Sequence, residues 1–590
     1  MVELDGKGLH ATLSAGAARV IGLQDHLNSI NVFPVPDGDT GSNLAATLYS
    51  MTQVETIPSS AGLTMVAMAD AALIGARGNS GIIFAQFLNG FREKVANLTT
   101  IGIEHFIRAV EHAALSAASA ISRPRDGTIL SVIRDWSGAL AREGRGASSY
   151  RELFHKSIPA AEESLRRTPE QLAELKLAGV VDAGAEGFVE FLKGAREFVE
   201  TGEKTTFEHI RPFVFAEEHA MVGHRGELKF RFCTEALFRG GNLDPRVLRA
   251  AVAELGDSLI VAGGGSIVRI HIHTNDPAAV FDTLRPFGNP TEQKVDDMAA
   301  QLATLSAANR GIAIVTDSTC DLPRELLDRY RIHVVPMTLS IGEAEYLDRV
   351  TLMTDRFFEL AESSPVFPRT SQPSIGAFQR TYSFLSSYYD SIIAIHLSSR
   401  LSGTCESSTR EAAKFTGKRI SVIDSRNLSG SLGLIVLRAA RAVERGASHE
   451  SIVAEVEAAV SKARIFVGVR TLKYMVRGGR VSPLKGFVAR LLNLKPIVSL
   501  DSEGASELHG RSFSVRANRI KIAGMVKAMR AQGPLWGYAV VHGSAPEAAR
   551  EFAALLEREL GEPPLYIMPI SPAIGLSAGR GSVAAVAMLR

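Results

Sequence analysis

The chain has 590 residues, 46% apolar and 22% charged, with a formal charge of +2. At ~150 residues per domain that length calls for three or four domains, and the near-neutral balance excludes a polyelectrolyte mode of nucleic-acid binding. Three widely spaced cysteines (Cys233, Cys320 and Cys405) exclude a disulfide framework and fit a reducing, cytoplasmic setting.

Residues 1 to about 200 read as helices. Segments such as HATLSAGAARVIGLQDHLNSI and IEHFIRAVEHAALSAASAI carry apolar residues at spacings of three and four. Gly-, Asp- and Ser-containing breaks separate them. No signal peptide is expected in MVELDGKGLH. No run approaches ~18 unbroken apolar residues, so no stable membrane insertion is expected. Residues 203–227 mix charge with a proline and sustain no period, which predicts a linker. From residue 228 to about 310, LKFRFCTEALF and SIVRIHIHT alternate in the strand period, and PRVLRAAVAEL and PAAVFDTLRPF look helical. That predicts a small α+β domain. Over 311–590 apolar strands end in polar loops that enter helices, as in GIAIVTDSTCDLPRELLDRY. This rhythm predicts α/β units and a mostly parallel sheet. Such sheets bind ligands beyond the carboxyl ends of their strands.

The first chemical motif is NVFPVPDGDTGSNL (31–44). Asp37 and Asp39 offer two carboxylates at short range, which suits a hard divalent cation such as Mg²⁺. Gly38 and Gly41 permit tight turns, and Thr40, Ser42 and Asn43 place donors near a helix start, a natural anion site. An acidic helix-capping turn explains the same pattern equally well. Three more loops join it: IGARGNSGII (74–83) with Arg77, RDGTILSVIRD (125–135) with Gly127 and Thr128, and VVDAGAEGFVEFL (180–192) with Asp182. Each alone is an ordinary polar loop. Four in one helical domain read as a phosphate- and metal-binding rim, although neither a P-loop nor a protein-kinase motif set is present.

In the middle region Leu228, Phe230 and Phe232 share one strand face, so Cys233 lies on the other. Val268, Ile270 and Ile272 share a face, and His271 and His273 point the opposite way with Arg269. If the two strands pair with matched faces, one thiol and two imidazoles converge. That set suits Zn²⁺ with an open fourth position. Spacing alone fits two half-exposed histidines and an unrelated cysteine at least as well. In the last region FPRTSQPS (367–374), HLSSRLSGT (396–404) and MVRGGRVS (475–482) gather hydroxyls, a helix start and two arginines, Arg477 and Arg480. Together they suit a carboxylate or phosphate.

NVFPVPDGDTGSN, GARGNSG, DGTIL and VDAGAEG, in this order, resemble the nucleotide-binding domain of the dihydroxyacetone kinase L-subunit family. Within it they are most similar to the N-terminal domain of bacterial fatty acid kinase. The resemblance implies an all-α antiparallel helical barrel over residues 1–202 that binds ATP with two Mg²⁺ ions. It makes Asp37 and Asp39 the metal ligands. Asn31 stands about where related kinases have a third acid. Thr40, Gly41, Ser42, Asn43, Ser80, Gly81, Thr128, Asp182 and Gly184 would line the nucleotide, and Arg77 could add positive charge to the transition state. FCTEALF, LGDSLIVAGGGSIVRIHIHTNDP and KVDDM resemble the middle domain of fatty acid kinase over 228–310. This implies that Cys233, His271 and His273 hold a metal ion important for activity, and Zn²⁺ is the expected ion. The motifs of residues 311–590, VTDSTCDLP and VIDSRNLSGSLGL among them, resemble the DegV family, with a two-lobed α/β fold and a deep apolar channel for a long-chain fatty acid. Thr370 and Ser402 would then bond the acyl carboxylate, with Arg477 in the surrounding network. The family usually has a His in its final Gly-rich segment, and IGLSAGRGS places Ser577 there.

The sequence therefore predicts a fusion: a fatty acid kinase that moves the ATP γ-phosphate onto a fatty acid carboxylate, joined to its own lipid-binding domain. A homodimer and an acyltransferase that consumes the acyl-phosphate are the expected partners. A kinase for a dihydroxyacetone-like triose and a non-catalytic lipid-binding or regulatory protein are the alternatives.

Overall fold

The computed structural model describes residues 1–33, 38–122, 124–203, 228–305, 311–471, 473–477 and 494–590. Asp37, Arg480 and all of the expected linker but Glu203 lie outside the described residues. The chain divides into two compact units, Met1–Met298 and Ala299–Arg590.

The first unit opens with helices, as the apolar spacing predicts. They are α1 (Gly6–Gly22), α2 (Gln24–Ser29), α3 (Thr40–Thr52), α4 (Ala61–Gly75), α5 (Gly78–Val95), α6 (Ile103–Ser119), α7 (Ile129–Glu143), α8 (Tyr150–Arg166), α9 (Thr168–Gln171), α10 (Ala173–Ala178) and α11 (Ala183–Thr201). Several begin on the side chains that favour such starts: Asp5 accepts from the Gly8 amide, Ser60 from Leu63, Ser149 from Glu152 and Asp182 from Ala185. The longer helices bury one face in a shared core. Its centre is aromatic, with Phe84, Phe87, Trp136, Phe188 and Phe191 in edge-on and tilted contacts. Two short strands, β1 (Glu3–Leu4) and β2 (Ile101–Gly102), pair antiparallel.

The same unit continues into a three-stranded antiparallel sheet of β3 (Phe232–Leu243), β4 (Gly256–Thr274) and β5 (Asn289–Asp297), in the order β4-β3-β5. Helices α12 (Pro245–Val252) and α13 (Pro277–Leu284) pack with the sheet over Phe238, Val268, Ile270, Ile272 and Phe281. The strand expected from residue 228 starts only at Phe232. At its threshold the Arg231 amide donates to Asn275 Oδ1 and the Arg231 guanidinium pairs with Asp297, so local polar bonds replace the ladder there. The sheet is joined to the helices. Ile260 and Ala262 enter the helical core, and the Gly263 amide donates to Gln86 Oε1 at 2.6 Å. Helix α14 (Met298–Leu305) spans the division between the units.

The second unit holds two main sheets. The first is parallel throughout: β6 (Ile312–Asp317), β7 (Ile332–Val335), β11 (Ser391–His396) and β12 (Arg419–Asp424), ordered β12-β11-β6-β7. The crossovers carry α15 (Arg324–Arg329), α16 (Thr354–Ser363), α17 (Ile375–Tyr388) and α18 (Thr404–Ala412). A small antiparallel sheet, β8 (Thr338–Ile341), β9 (Ala344–Leu347) and β10 (Arg369–Ser371), lies within this stretch. Helices α19 (Ser429–Glu444) and α20 (His449–Val460) lead to the second main sheet. It comprises β13 (Ala463–Gly468), β14 (Lys495–Leu500), β15 (Ser506–Ser512), β16 (Leu535–His542), β17 (Ile567–Pro569) and β18 (Val583–Leu589), ordered β15-β14-β13-β18-β16-β17. The helices α21 (Lys473–Arg477), α22 (Val515–Gln532), α23 (Pro546–Leu560) and α24 (Pro572–Ala578) complete the unit. This sheet corrects the expectation of mostly parallel pairing. Only β16 and β17 run parallel; β18 inserts antiparallel between β13 and β16. Strand–helix alternation reveals the strands but not their direction, which depends on which neighbour each finds. No helix among the described residues is long and apolar enough to cross a membrane.

Candidate functional site

In the first unit the motif loops come together through helix starts. Asn43, in the first turn of α3, packs against Gly78 at the start of α5. A Cβ on Gly78 would lie 2.3 Å from Asn43 Nδ2, and Gly78 sits at φ +58°, so glycine is required there. Ser80 abuts Gly184 in α11, where a Cβ would meet its Oγ at 2.7 Å. Asp182 Oδ1 accepts from the Ala185 amide at 2.8 Å and from the Ile129 amide of α7 at 3.1 Å. The N-termini of α3, α5, α7 and α11 are thereby linked in series. Their amides and dipoles favour an anion.

The predicted nucleotide residues divide within this rim. Thr40, Gly41, Ser42, Asn43, Gly81, Asp182 and Gly184 are buried; Arg77, Ser80 and Thr128 are half-buried. Ser42 is engaged with α2: its Oγ accepts from Asn28 and Gln24, and its amide donates to Asn28 Oδ1. Gly81 lies against Thr47 Oγ1, the same hydroxyl that takes the Arg77 amide at 3.4 Å. The Thr128 hydroxyl donates to the Arg125 carbonyl. Asn31 is buried and Asp39 half-buried. Burial pushes the Asp182 carboxyl up to about 6 against the two amides that lower it.

The middle sheet brings Cys233, His271 and His273 together. Cys233 pairs in register with His273, and His271 lies opposite Glu235, so all four side chains share one face. The ligand atoms of Cys233, His271 and His273 all lie within 4.8 Å of one another. Burial, then the His271 charge, pushes His273 down to about 3, which leaves it neutral with a lone pair. Burial raises the Cys233 thiol well above its ordinary range, and the Glu235, Asp296 and Asp39 carboxylates raise it further. Asp39 of the first motif loop is therefore within electrostatic reach of this cluster. Glu235 Oε1 lies 3.2 Å from His271 Nδ1. A carboxylate only accepts, so the edge it faces is the protonated one; Nδ1 also stands 3.9 Å from Cys233 Sγ, and Nε2 is buried without a hydrogen-bond partner among the described residues. One thiol and two imidazoles, with an orphaned ring nitrogen, fit a Zn²⁺-type ion.

In the second unit a cavity of about 840 Å³ opens beyond the carboxyl ends of β6 and β11. Leu397, Leu428, Ile465, Val467, Val541 and Ile574 are among its apolar lining, and Thr370, Ser402, Arg477 and Ser577 also face it. The size falls in the upper part of the ~300–1,000 Å³ range of ligand sites. Thr370 comes from β10, which FPRTSQPS disguises as a loop; it pairs with Leu339 of β8. Ser402 Oγ lies 2.8 Å from Thr404 Oγ1, at the start of α18. Gln372 packs against Gly403 and donates to Ser407 Oγ, which ties the two hydroxyl loops together. The Arg477 guanidinium sits over the Phe367 ring, 5.6 Å from its centroid.

Family models match three consecutive segments: the DAK2 domain over residues 34–197, the middle domain of FakA-like fatty acid kinases over 229–305, and the DegV family over 311–590. One polypeptide thus matches all three family models in succession. Uncharacterized proteins of Staphylococcus haemolyticus and Staphylococcus epidermidis are each 32% identical to it, over 313 and 314 residues, 51% of this chain and 56% of theirs. The chain spans about half the length of the curated relatives it matches. A DegV-family protein of Thermus thermophilus, described as fatty acid binding, is 31% identical with a TM-score of 0.43, covering 47% of this chain and 99% of its own. DegV of Bacillus subtilis, described as a fatty acid binding protein, is 28% identical with a TM-score of 0.44 and the same coverage.

Two buried networks hold this cavity, and neither was singled out in the sequence. Asp317 Oδ2 accepts from the Leu397 amide and faces His396 Nδ1 at 3.2 Å, while His396 Nε2 contacts Ser408 Oγ at 2.8 Å. All three side chains are buried, so the network fixes the end of β11 rather than offering a nucleophile. Asp321 takes the Ser571 amide and Asp348 the Ala573 amide, which together anchor α24 and its cavity residues Ile574 and Ser577. Burial pushes Asp321 up to about 6 and Asp348 up to about 7, against the hydrogen bonds each accepts. In the middle segment, Glu235 was likewise missed. Its two-residue spacing from Cys233 put it on the right face, but a charged strand residue reads as solvent-facing until the register is known.

Proposed function

We propose that the chain is an ATP-dependent kinase whose acceptor is the carboxylate of a long-chain fatty acid held in its own DegV segment. The observation that carries this reading is a pairing within one polypeptide. A rim of four helix N-termini beside a Cys/His cluster suits a nucleotide. An apolar cavity edged by hydroxyls and a guanidinium suits a lipid acid. In this reading the helices of residues 1–202 form an antiparallel barrel that carries the nucleotide at one end.

The chemistry asks little of the protein beyond placement. A fatty acid is a carboxylate at neutral pH, so no strong base is needed. One carboxylate oxygen attacks the γ-phosphorus, the bond to the β-bridging oxygen breaks, and ADP leaves. The donors at Thr40, Gly41, Ser42, Asn43, Ser80, Gly81, Thr128 and Gly184, with Asp182 bracing two of the helices, orient the phosphates, and Arg77 offsets negative charge as the transfer proceeds. Asp37 and Asp39 would hold Mg²⁺, with Asn31 in place of a third acid, and this ion would neutralise phosphate charge. Cys233, His271 and His273 would hold Zn²⁺, and the thiol must lose its proton to do so. In the cavity, burial contributes about 0.8 kcal/mol per methylene. Thr370, Ser402 and Arg477 orient the acid head. The product is an activated acyl donor, which an acyltransferase would consume. The chain would act as a homodimer, with transfer within or between chains as far as tethering lets the sites meet.

The direct test incubates the full chain with ATP, Mg²⁺ and oleate, and traps acyl-phosphate with hydroxylamine. Oleoyl hydroxamate is expected; its absence from protein that binds both ligands would sink the reading. Ser577 in the cavity lining, where related proteins usually have His, favours a second reading: a lipid carrier whose kinase half only senses nucleotide. Lipid that co-purifies without any ATP turnover would select it.

A further inference from the structure

We propose that Glu235 is a positioning residue that couples the Cys233/His271/His273 cluster to the nucleotide loop at Arg77–Gly81, so that an ion at the first tightens binding at the second. This rests on the nucleotide reading above. Glu235 is 2% exposed, and its Oε1 is shared between two partners. It accepts from the Gly78 amide at 3.0 Å and faces His271 Nδ1 at 3.2 Å. Its Oε2 lies 3.6 Å from the Arg269 guanidinium, which holds the carboxylate in place from the other side.

Both partners sit on backbone that is fixed by packing. Gly78 is in the left-handed region with Asn43 packed where a side chain would be. His271 is 3% exposed and pairs with Glu235 in the β3–β4 ladder. The Gly78 amide opens α5, so the carboxylate that fixes it also fixes the direction of the following amides and of Ser80. An ion held among Cys233, His271 and His273 holds the ring. Fixing the ring fixes its Nδ1 edge, which stands 3.2 Å from Glu235 Oε1 and 3.9 Å from Cys233 Sγ, and so fixes Glu235. Without the ion the ring loses that restraint and the carboxylate has one fixed partner instead of two. Binding energy at one site is thus passed to the other through a single oxygen, and the coupling must be reciprocal.

The experiment uses the full chain. ATP affinity is measured by calorimetry on metal-stripped and Zn²⁺-loaded protein, and Zn²⁺ affinity by chelator competition with and without ATP. In the wild type Zn²⁺ tightens ATP, and ATP tightens Zn²⁺, by the same factor, about five-fold or more. In Glu235→Met, which keeps the length of the side chain and removes both oxygens, the factor falls to about one while both ligands still bind. Glu235→Asp keeps the charge opposite Arg269 but cannot span both partners, and it too loses the factor; circular dichroism checks the fold of each variant. A wild-type factor of one, or a factor unchanged in both variants, overturns the inference and leaves the kinase reading standing. Failure of the wild type to bind ATP at all overturns the kinase reading, and this inference with it.

Discussion

Removing the Asp182 side chain should unfasten two helix starts at once. Its Oδ1 is the acceptor for the Ala185 amide, which begins α11, and for the Ile129 amide, which begins α7. Both amides are buried, and an unpaired buried donor costs about 1–3 kcal/mol. The side chain's charge is itself unfavourable in this setting, since burial pushes its carboxyl up to about 6. Asp182→Asn is therefore the proper reference: it removes the charge and keeps an oxygen that can accept from both amides. Asp182→Ala should be about 2–4 kcal/mol less stable than Asp182→Asn. The chain has two tryptophans, Trp136 and Trp536, one in each unit. Trp136 is 2% exposed in α7, so its fluorescence in a Trp536→Phe background follows the unit that contains Asp182. With a urea dependence of about 3 kcal/mol/M, the midpoint of the Ala variant should fall about 1 M below that of the Asn variant. Coincident midpoints would show that the two amides find other partners, and would refute the bracing role.

The cavity and its supports can be probed in the same way. Ala584→Phe, on a cavity-lining position of β18, displaces the equivalent of about three methylenes, about 2 kcal/mol, and should weaken oleate binding at least tenfold by calorimetry, with circular dichroism checking the fold. Asp348 is pushed up to about 7 from an unfolded value near 3.9, so the folded chain binds the extra proton between those values. The stability of the second unit should thus fall as pH rises from about 4 to about 7, by on the order of 3 kcal/mol, and Asp348→Asn should flatten that slope. Trp536 fluorescence in a Trp136→Phe background reports it; an unchanged slope would assign the pH dependence elsewhere, Asp321 first. Asp37→Ala should abolish ATP turnover and leave oleate affinity unchanged, and a variant with wild-type turnover would remove Asp37 from the phosphate site.

Much of the fold was legible because periodicity reports burial directly. The helices of the first unit and the strand–helix units of the second follow from apolar spacing. The shared face of His271 and His273 was legible from strand alternation, whereas the place of Cys233 on that face waited on the β3–β4 register. What stayed hidden depends on partners distant in sequence. Glu235 meets Gly78 across 157 positions, and Asp321 meets Ser571 across 250. The place of β18 between β13 and β16 is a choice among strand neighbours that local pattern does not encode. Arg369–Ser371 looked like a loop because flanking prolines mask a three-residue edge strand.

The central claim is that the fatty acid in the DegV segment accepts the phosphoryl group that the DAK2 segment handles. The measurement that tests it most directly is ADP release from delipidated full-length protein, titrated with oleate at saturating ATP and Mg²⁺. The account predicts no ADP without oleate, then one ADP for each oleate added, with a matching acyl-phosphate signal by phosphorus NMR. ADP release that is indifferent to oleate would contradict it.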